Sequence, residues 1–174
     1  MTKYFILIRL ISVIVVSGGL LAAPVAANAI TTATSNLAVT LTVNANCTIS
    51  TTTLPFGTTT SLATVLNQQG SIGVTCTNTT PYSVGLDGGN VLASSIAIRL
   101  LAGTSTGNTT TTIPYQLYSD AARTSIWGNS VGAWLSGTGN GGTQTLTVYG
   151  QVPVSAVTPK PDLYESTVVA TITF

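Results

Sequence analysis

Two cysteines and four carboxylates are the residues of this 174-residue chain whose chemistry reaches beyond packing. Cys47 and Cys76 stand 29 positions apart, far from the C-x-x-C spacing of a redox or zinc pair, and the chain has no histidine to complete a mixed metal site. The lack of histidine also removes the Ser-His-Asp and Cys-His arrangements of nucleophilic catalysis. Among the carboxylates, Asp162 and Glu165 lie three apart beside Pro161. That setting reads as a solvated turn, because a catalytic pair needs surroundings that push two pKa values apart and nothing nearby does so. Asp120 and Arg123 fit either a local ion pair or an Asx-type turn, and an exposed pair would add little stability. Trp127 and Trp134, with Tyr115, Tyr118 and Tyr149, could form a sugar-binding platform, but large aromatics more commonly fill a core or its rim. The expectation is therefore no catalytic residue, no metal and no cofactor.

What the cysteines do depends on compartment, and the N-terminus speaks to that. Lys3 and Arg9 precede a mostly apolar run from Leu10 to Ala23, interrupted by Ser12, Ser17, Gly18 and Gly19, and the segment closes on Ala27-Asn28-Ala29. This is the pattern of a secretory signal peptide, residues 1–29, cut between Ala29 and Ile30. A retained membrane anchor is the alternative, although the run falls short of the roughly 20 apolar residues that span a bilayer. No later stretch is long and apolar enough to insert, so the mature chain of about 145 residues is expected to be free of membrane and large enough for one core. An exported chain meets an oxidising environment, and Cys47 and Cys76 then read as one disulfide. The loop it closes would contribute about 3 to 4 kcal/mol in the chain-entropy picture.

Loss of the signal leaves Arg99, Arg123 and Lys160 against Asp87, Asp120, Asp162 and Glu165, a net side-chain charge of −1. Three scattered cations cannot follow a phosphate backbone, which excludes nucleic acid as a partner. So few charges signal either a tendency to aggregate or a surface that copies of the chain will cover. Exposed polarity must come from Thr, Ser, Asn and Gly. Asn-x-Thr sequons at Asn46, Asn78 and Asn108 arise readily by chance in such a Thr-rich chain.

The elements that position these residues alternate with period two. From Leu37 the odd positions read Leu37, Val39, Leu41, Val43, Ala45, Cys47 and Ile49, a run too long for one ordinary strand of about five or six residues. Either one strand bends across two sheets or two segments lie end to end. After a turn at Leu54-Pro55-Phe56-Gly57 and a polar connection through Gly70, Ile72, Val74 and Cys76 alternate. They are followed at hairpin spacing by Tyr82, Val84 and Leu86. Asp87-Gly88-Gly89-Asn90 marks a turn. Ile96, Ile98 and Leu100, then Ile113, Tyr115 and Leu117, then Leu146 and Val148 predict further strands. A last one runs from Tyr164 through Ser166, Val168, Ala170 and Ile172 to Phe174. About seven short strands with turns between them and no helical periodicity predict an all-β sandwich or barrel. A final strand ending on an apolar residue has nothing to cover its edge, which suggests an incomplete fold.

Several blocks together resemble one family: Ala45-Asn46-Cys47-Thr48-Ile49, Leu54-Pro55-Phe56-Gly57, Val74-Thr75-Cys76 through Pro81-Tyr82, Ile113-Pro114-Tyr115-Gln116-Leu117-Tyr118-Ser119-Asp120-Ala121-Ala122-Arg123, Ile126-Trp127-Gly128, and Gln144 to Gly150. They are similar to the spore coat protein U domain of archaic, Csu-type, chaperone-usher pilus subunits of Gram-negative bacteria. The resemblance covers essentially the whole mature chain, and the Y-x-L-Y-x-D-A-A-R-T block with the following W-G is its most specific part. It implies an incomplete immunoglobulin-like sandwich that lacks its final strand. A periplasmic chaperone would lend that strand until an outer-membrane usher exchanges it for the N-terminal extension of the next copy or a related pilin. Residues 30–42 would be the donor extension, with Ala33, Leu37, Val39 and Leu41 as plugs, and residues 43–174 the pilin domain, with Val43, Ala45, Cys47 and Ile49 in its own core. Val168, Ala170, Ile172 and Phe174 would edge the acceptor groove. The implied function is a structural subunit of an exported cell-surface fimbrium serving adhesion and biofilm formation. A non-pilus coat or matrix protein and a carbohydrate-binding sandwich are the alternatives.

Overall fold

A computed structural model describes residues 30–174; the expected signal peptide, including Ala29, lies outside the described residues. The described chain divides between Leu41 and Thr42. From Ile30 to Leu41 there is no helix or strand, and every residue is exposed. The body that begins at Thr42 holds nine strands: β1 Cys47–Thr51, β2 Leu66–Cys76, β3 Pro81–Leu86, β4 Arg99–Gly103, β5 Thr112–Tyr118, β6 Leu135–Thr138, β7 Thr143–Val152, β8 Tyr164–Glu165 and β9 Ala170–Thr173. All pair antiparallel, in a six-stranded sheet ordered β1-β2-β7-β5-β4-β8 and a three-stranded sheet ordered β6-β3-β9.

Period-two sequence dictates which faces meet. Ile72, Val74 and Cys76 of β2 and Val148 and Val152 of β7 turn inward against Tyr82, Val84 and Leu86 of β3, and Trp127 fills the centre with no exposed surface. Burying a side chain of this kind contributes about 1.5 to 3 kcal/mol. The Trp127 indole N–H donates to the Val84 carbonyl at 2.8 Å, so the one polar atom of the ring is satisfied inside the core. Threonine, serine and asparagine occupy outer positions of these strands and of β1, among them Thr48, Ser50, Thr145 and Asn67, as the low charge required.

Five local expectations change. The connection expected through Gly70 is already strand from Leu66, paired with β7. The segments Ile72–Cys76 and Tyr82–Leu86 do not form a hairpin: β2 pairs with β1 and β7, and β3 with β6 and β9. The connection Thr77–Thr80, closed by Thr80 N–H donating to the Thr77 carbonyl and carrying Thr79 at φ +64°, carries the chain from one sheet to the other. The first strand begins at Cys47, not near Val43, because its partner β2 ends at Cys76; Val43, 76% exposed, and Ala45, also exposed, are not core residues. The strand expected at Ile96–Leu100 starts later, at Arg99, leaving Ile98 exposed. The C-terminal alternation is divided between sheets: β8 pairs with β4, whereas β9 pairs with β3.

Candidate functional site

Each sheet of a two-sheet body has two edges, and two of them lie side by side. β1 closes one end of the six-stranded sheet and β9 one end of the three-stranded sheet, and the two strands run close together without hydrogen-bonding to each other. Among the described residues each is laddered on one side only, β1 to β2 and β9 to β3. Along this seam Cys47 and Ile49 from β1, and Val168, Ala170 and Ile172 from the β9 side, are half-buried against the core. Phe174 follows β9 and is 56% exposed. A seam of unpaired main chain over partly covered apolar side chains can accept an extended strand.

The disulfide braces the β1 side. Cys47 and Cys76 are bonded and directly opposite in the β1–β2 register. The Thr77 N–H donates to the Asn46 carbonyl at 2.9 Å, and the Asn46 N–H to Thr77 Oγ1 at 3.2 Å, extending the pairing one step beyond the bridge. The expected plugs Leu37, Val39 and Leu41 are 86 to 89% exposed, and Ala33 and Ile30 are exposed as well.

At the start of β4, against the end of β3, lies a charge that periodicity alone did not single out. Arg99 is completely buried, with Nη2 donating to the carbonyls of Trp127 at 2.7 Å and Leu86 at 3.2 Å, Nε to that of Asp87 at 2.9 Å, and Nη1 to Gln116 Oε1. Burial lowers the Arg99 pKa against the opposing pull of Tyr115 and Asp87, and burial raises that of Tyr115. The amide of Gln116 donates in turn to the carbonyls of Ile96 and Ala97, so one cation ties β3, β5 and the loop before β4 together. An arginine within the apolar run Ile96–Leu101 was the available signal, because such a residue is rarely buried without a set of partners.

The remaining acids are engaged in local hydrogen bonds. Asp120 accepts from the N–H groups of Ser125 at 2.7 Å and Thr124 at 3.0 Å and from the Thr124 hydroxyl, and these bonds, that of Ser125 foremost, lower its pKa. The Asx-turn reading therefore replaces the ion pair: Arg123, at φ +57°, lies over the Tyr149 ring at 5.8 Å and donates to the Gly150 carbonyl. Asp162 accepts from the Ser105 hydroxyl, from Asn108 Nδ2 and from the Ser105 and Leu163 N–H groups, which hold its carboxyl well below the usual range. Among the described residues no three acids or cysteines gather as a metal site would require.

The body is thus an all-β sandwich whose two sheets leave neighbouring edges at β1 and β9. The profile of the spore coat protein U domain matches residues 33–171, and the chain belongs to that family. No curated protein matches the chain. Among solved structures it is similar, at 22% identity and a TM-score of 0.52, to a chain in the crystal structure of the CsuC–CsuE chaperone–tip adhesion subunit pre-assembly complex from archaic chaperone-usher Csu pili of Acinetobacter baumannii. That match covers 76% of this chain and 40% of the other. The fold is the incomplete immunoglobulin-like sandwich of such subunits.

Proposed function

We propose that this protein is a structural subunit of a chaperone-usher surface pilus and that it polymerises by donating residues 31–42 to the β1–β9 seam of the next copy. The open seam carries this reading. It presents two neighbouring strand edges over half-buried apolar side chains, while the same chain holds an alternating apolar segment that is exposed and unpaired. Leu37, Val39 and Leu41 recur every second residue, the spacing at which an added strand sends side chains into one groove. The family match supports this, since it reaches back to Ala33, well before the first strand of the body at Cys47. A periplasmic chaperone would cover the seam until assembly and an outer-membrane usher would supervise the exchange. The finished fimbrium would lie at the cell surface and serve adhesion and biofilm formation.

Substitution of a central plug tests the assignment. Leu41→Asp or Val39→Asp would place an unpaired carboxylate in the groove, a burial that costs several kcal/mol or forces protonation. The exported variants should keep the Cys47–Cys76 bond and a folded body but fail to form polymers on size-exclusion chromatography. Polymers at the wild-type level would overturn the donor assignment.

A further inference from the structure

Where the C-terminal segment crosses from one sheet to the other, no strand flanks it, yet its main chain is not left open. Inward positions continue unbroken through the crossing: Tyr164, Ser166, Val168, Ala170 and Ile172 are half-buried and the residues between them exposed. The ends pair with β4 and with β3. Between them the turn Asp87-Gly88-Gly89-Asn90 takes the place of a strand. The Asp87 N–H donates to the Val169 carbonyl at 3.1 Å, and the Val169 N–H donates to Asp87 Oδ1 at 2.9 Å. The Asn90 N–H donates to the Thr167 carbonyl at 3.0 Å, and the Thr167 N–H to Asn90 Oδ1 at 2.8 Å. Two side-chain oxygens thus stand where an antiparallel strand would present carbonyls, at every second residue of the segment they serve.

The turn is itself held in place. Asp87 Oδ1 also accepts from the Gly89 N–H at 2.9 Å, and Gly89 sits at φ +88° with the position of a Cβ only 2.8 Å from Ser166 Oγ, so a side chain there would push the segment away. Arg99 fixes the turn from the core through the Leu86 and Asp87 carbonyls. The Tyr115 hydroxyl donates to Ser166 Oγ at 3.1 Å.

We infer that Asp87 and Asn90 act as a surrogate strand that fixes the register and rigidity of the β9 edge, and so set how readily the seam captures an incoming strand. The inference rests on the reading of the seam as a strand acceptor. A groove wall already ordered loses less conformational freedom when a strand binds, which is the general route by which preorganisation raises affinity.

Amide exchange and assembly rate, measured together on the full exported chain, test this. Asn90→Ala should speed exchange at Thr167 and Asp87→Ala at Val169 by about tenfold, whereas Asn90→Asp and Asp87→Asn, which keep the accepting oxygen, should stay within about twofold of wild type. Polymer formation should slow in the alanine variants and recover in the conservative ones. Asn90 is exposed, so its alanine variant carries the test even where Asp87→Ala folds poorly. Unchanged exchange would overturn the surrogate strand, and faster exchange with assembly at the wild-type rate would overturn its role in capture. Leu41→Asp, run alongside, keeps the two ideas separable, because polymers from that variant would count against the donor segment whatever the amides show.

Discussion

A single buried arginine shows how a nearly uncharged protein makes use of the charge it keeps. Arg99 donates to three main-chain carbonyls, which would lose this partner if the guanidinium were removed, and to Gln116 Oε1, which also accepts from the Leu117 N–H. Arg99→Met should therefore lower the unfolding free energy by about 3 kcal/mol or more in urea titrations, since several buried acceptors are orphaned at once. A loss below about 1 kcal/mol would contradict the network's importance. Asp162 gives a second prediction at this scale. Its folded pKa is depressed, so the stability it adds is fully present above the ordinary carboxylate value of 3.8 and is lost as pH falls through that value toward the folded one. The thermal midpoints of wild type and Asp162→Asn should accordingly converge as the pH is lowered from about 5 to about 2. A constant gap would show that the bonds from Ser105 and Asn108 do not depend on the charge.

Among the elements, the apolar alternating strands were legible, but β6 and the polar half of β2 from Leu66 to Gly70 were not, and neither was strand partnership. Alternation placed Ile72, Val74 and Cys76, Tyr82, Val84 and Leu86, and Ile113, Tyr115 and Leu117 on inward faces, where they are buried. A short turn between two alternating runs has the same sequence signature whether it folds the strands into a hairpin or carries the chain across the sandwich, so the separate sheets of β2 and β3 could not be read locally. The start of β1 at Cys47 was hidden for a similar reason. Alternation runs straight through Val43 and Ala45, and what ends the strand is where its partner β2 stops. At the seam, the apolar character of Val168, Ala170 and Ile172 could be read from sequence. The contribution of Asp87 and Asn90 could not, because it depends on a turn approaching a segment 77 or more residues later. The disulfide belongs to this scale too. Replacing Cys47 and Cys76 with alanine should cost about 3 kcal/mol of stability in chemical denaturation and free the β1 side of the seam. Stability equal to wild type would mean that the β1–β2 ladder suffices alone.

For the molecule as a whole, charge is almost absent from the exposed surface. Of the side-chain charges in the described residues, Arg99 is buried, Asp87, Asp120, Arg123 and Asp162 are half-buried, and only Lys160 and Glu165 are exposed. Subunits held by main-chain hydrogen bonds and apolar plugs should then assemble at rates that change less than about twofold between roughly 0.05 and 0.5 M salt, and light scattering can follow this. A steep salt dependence would point to ionic contacts that this surface does not offer. The proposed mechanism requires one chain that both lacks a strand and carries one. Electron microscopy of the exported protein, intact and with Thr31–Thr42 deleted, tests that most directly. The intact chain should form thin fibres and the deleted chain should remain a folded, disulfide-bonded single subunit. Fibres from both, or an amorphous coat from the intact chain, would contradict it.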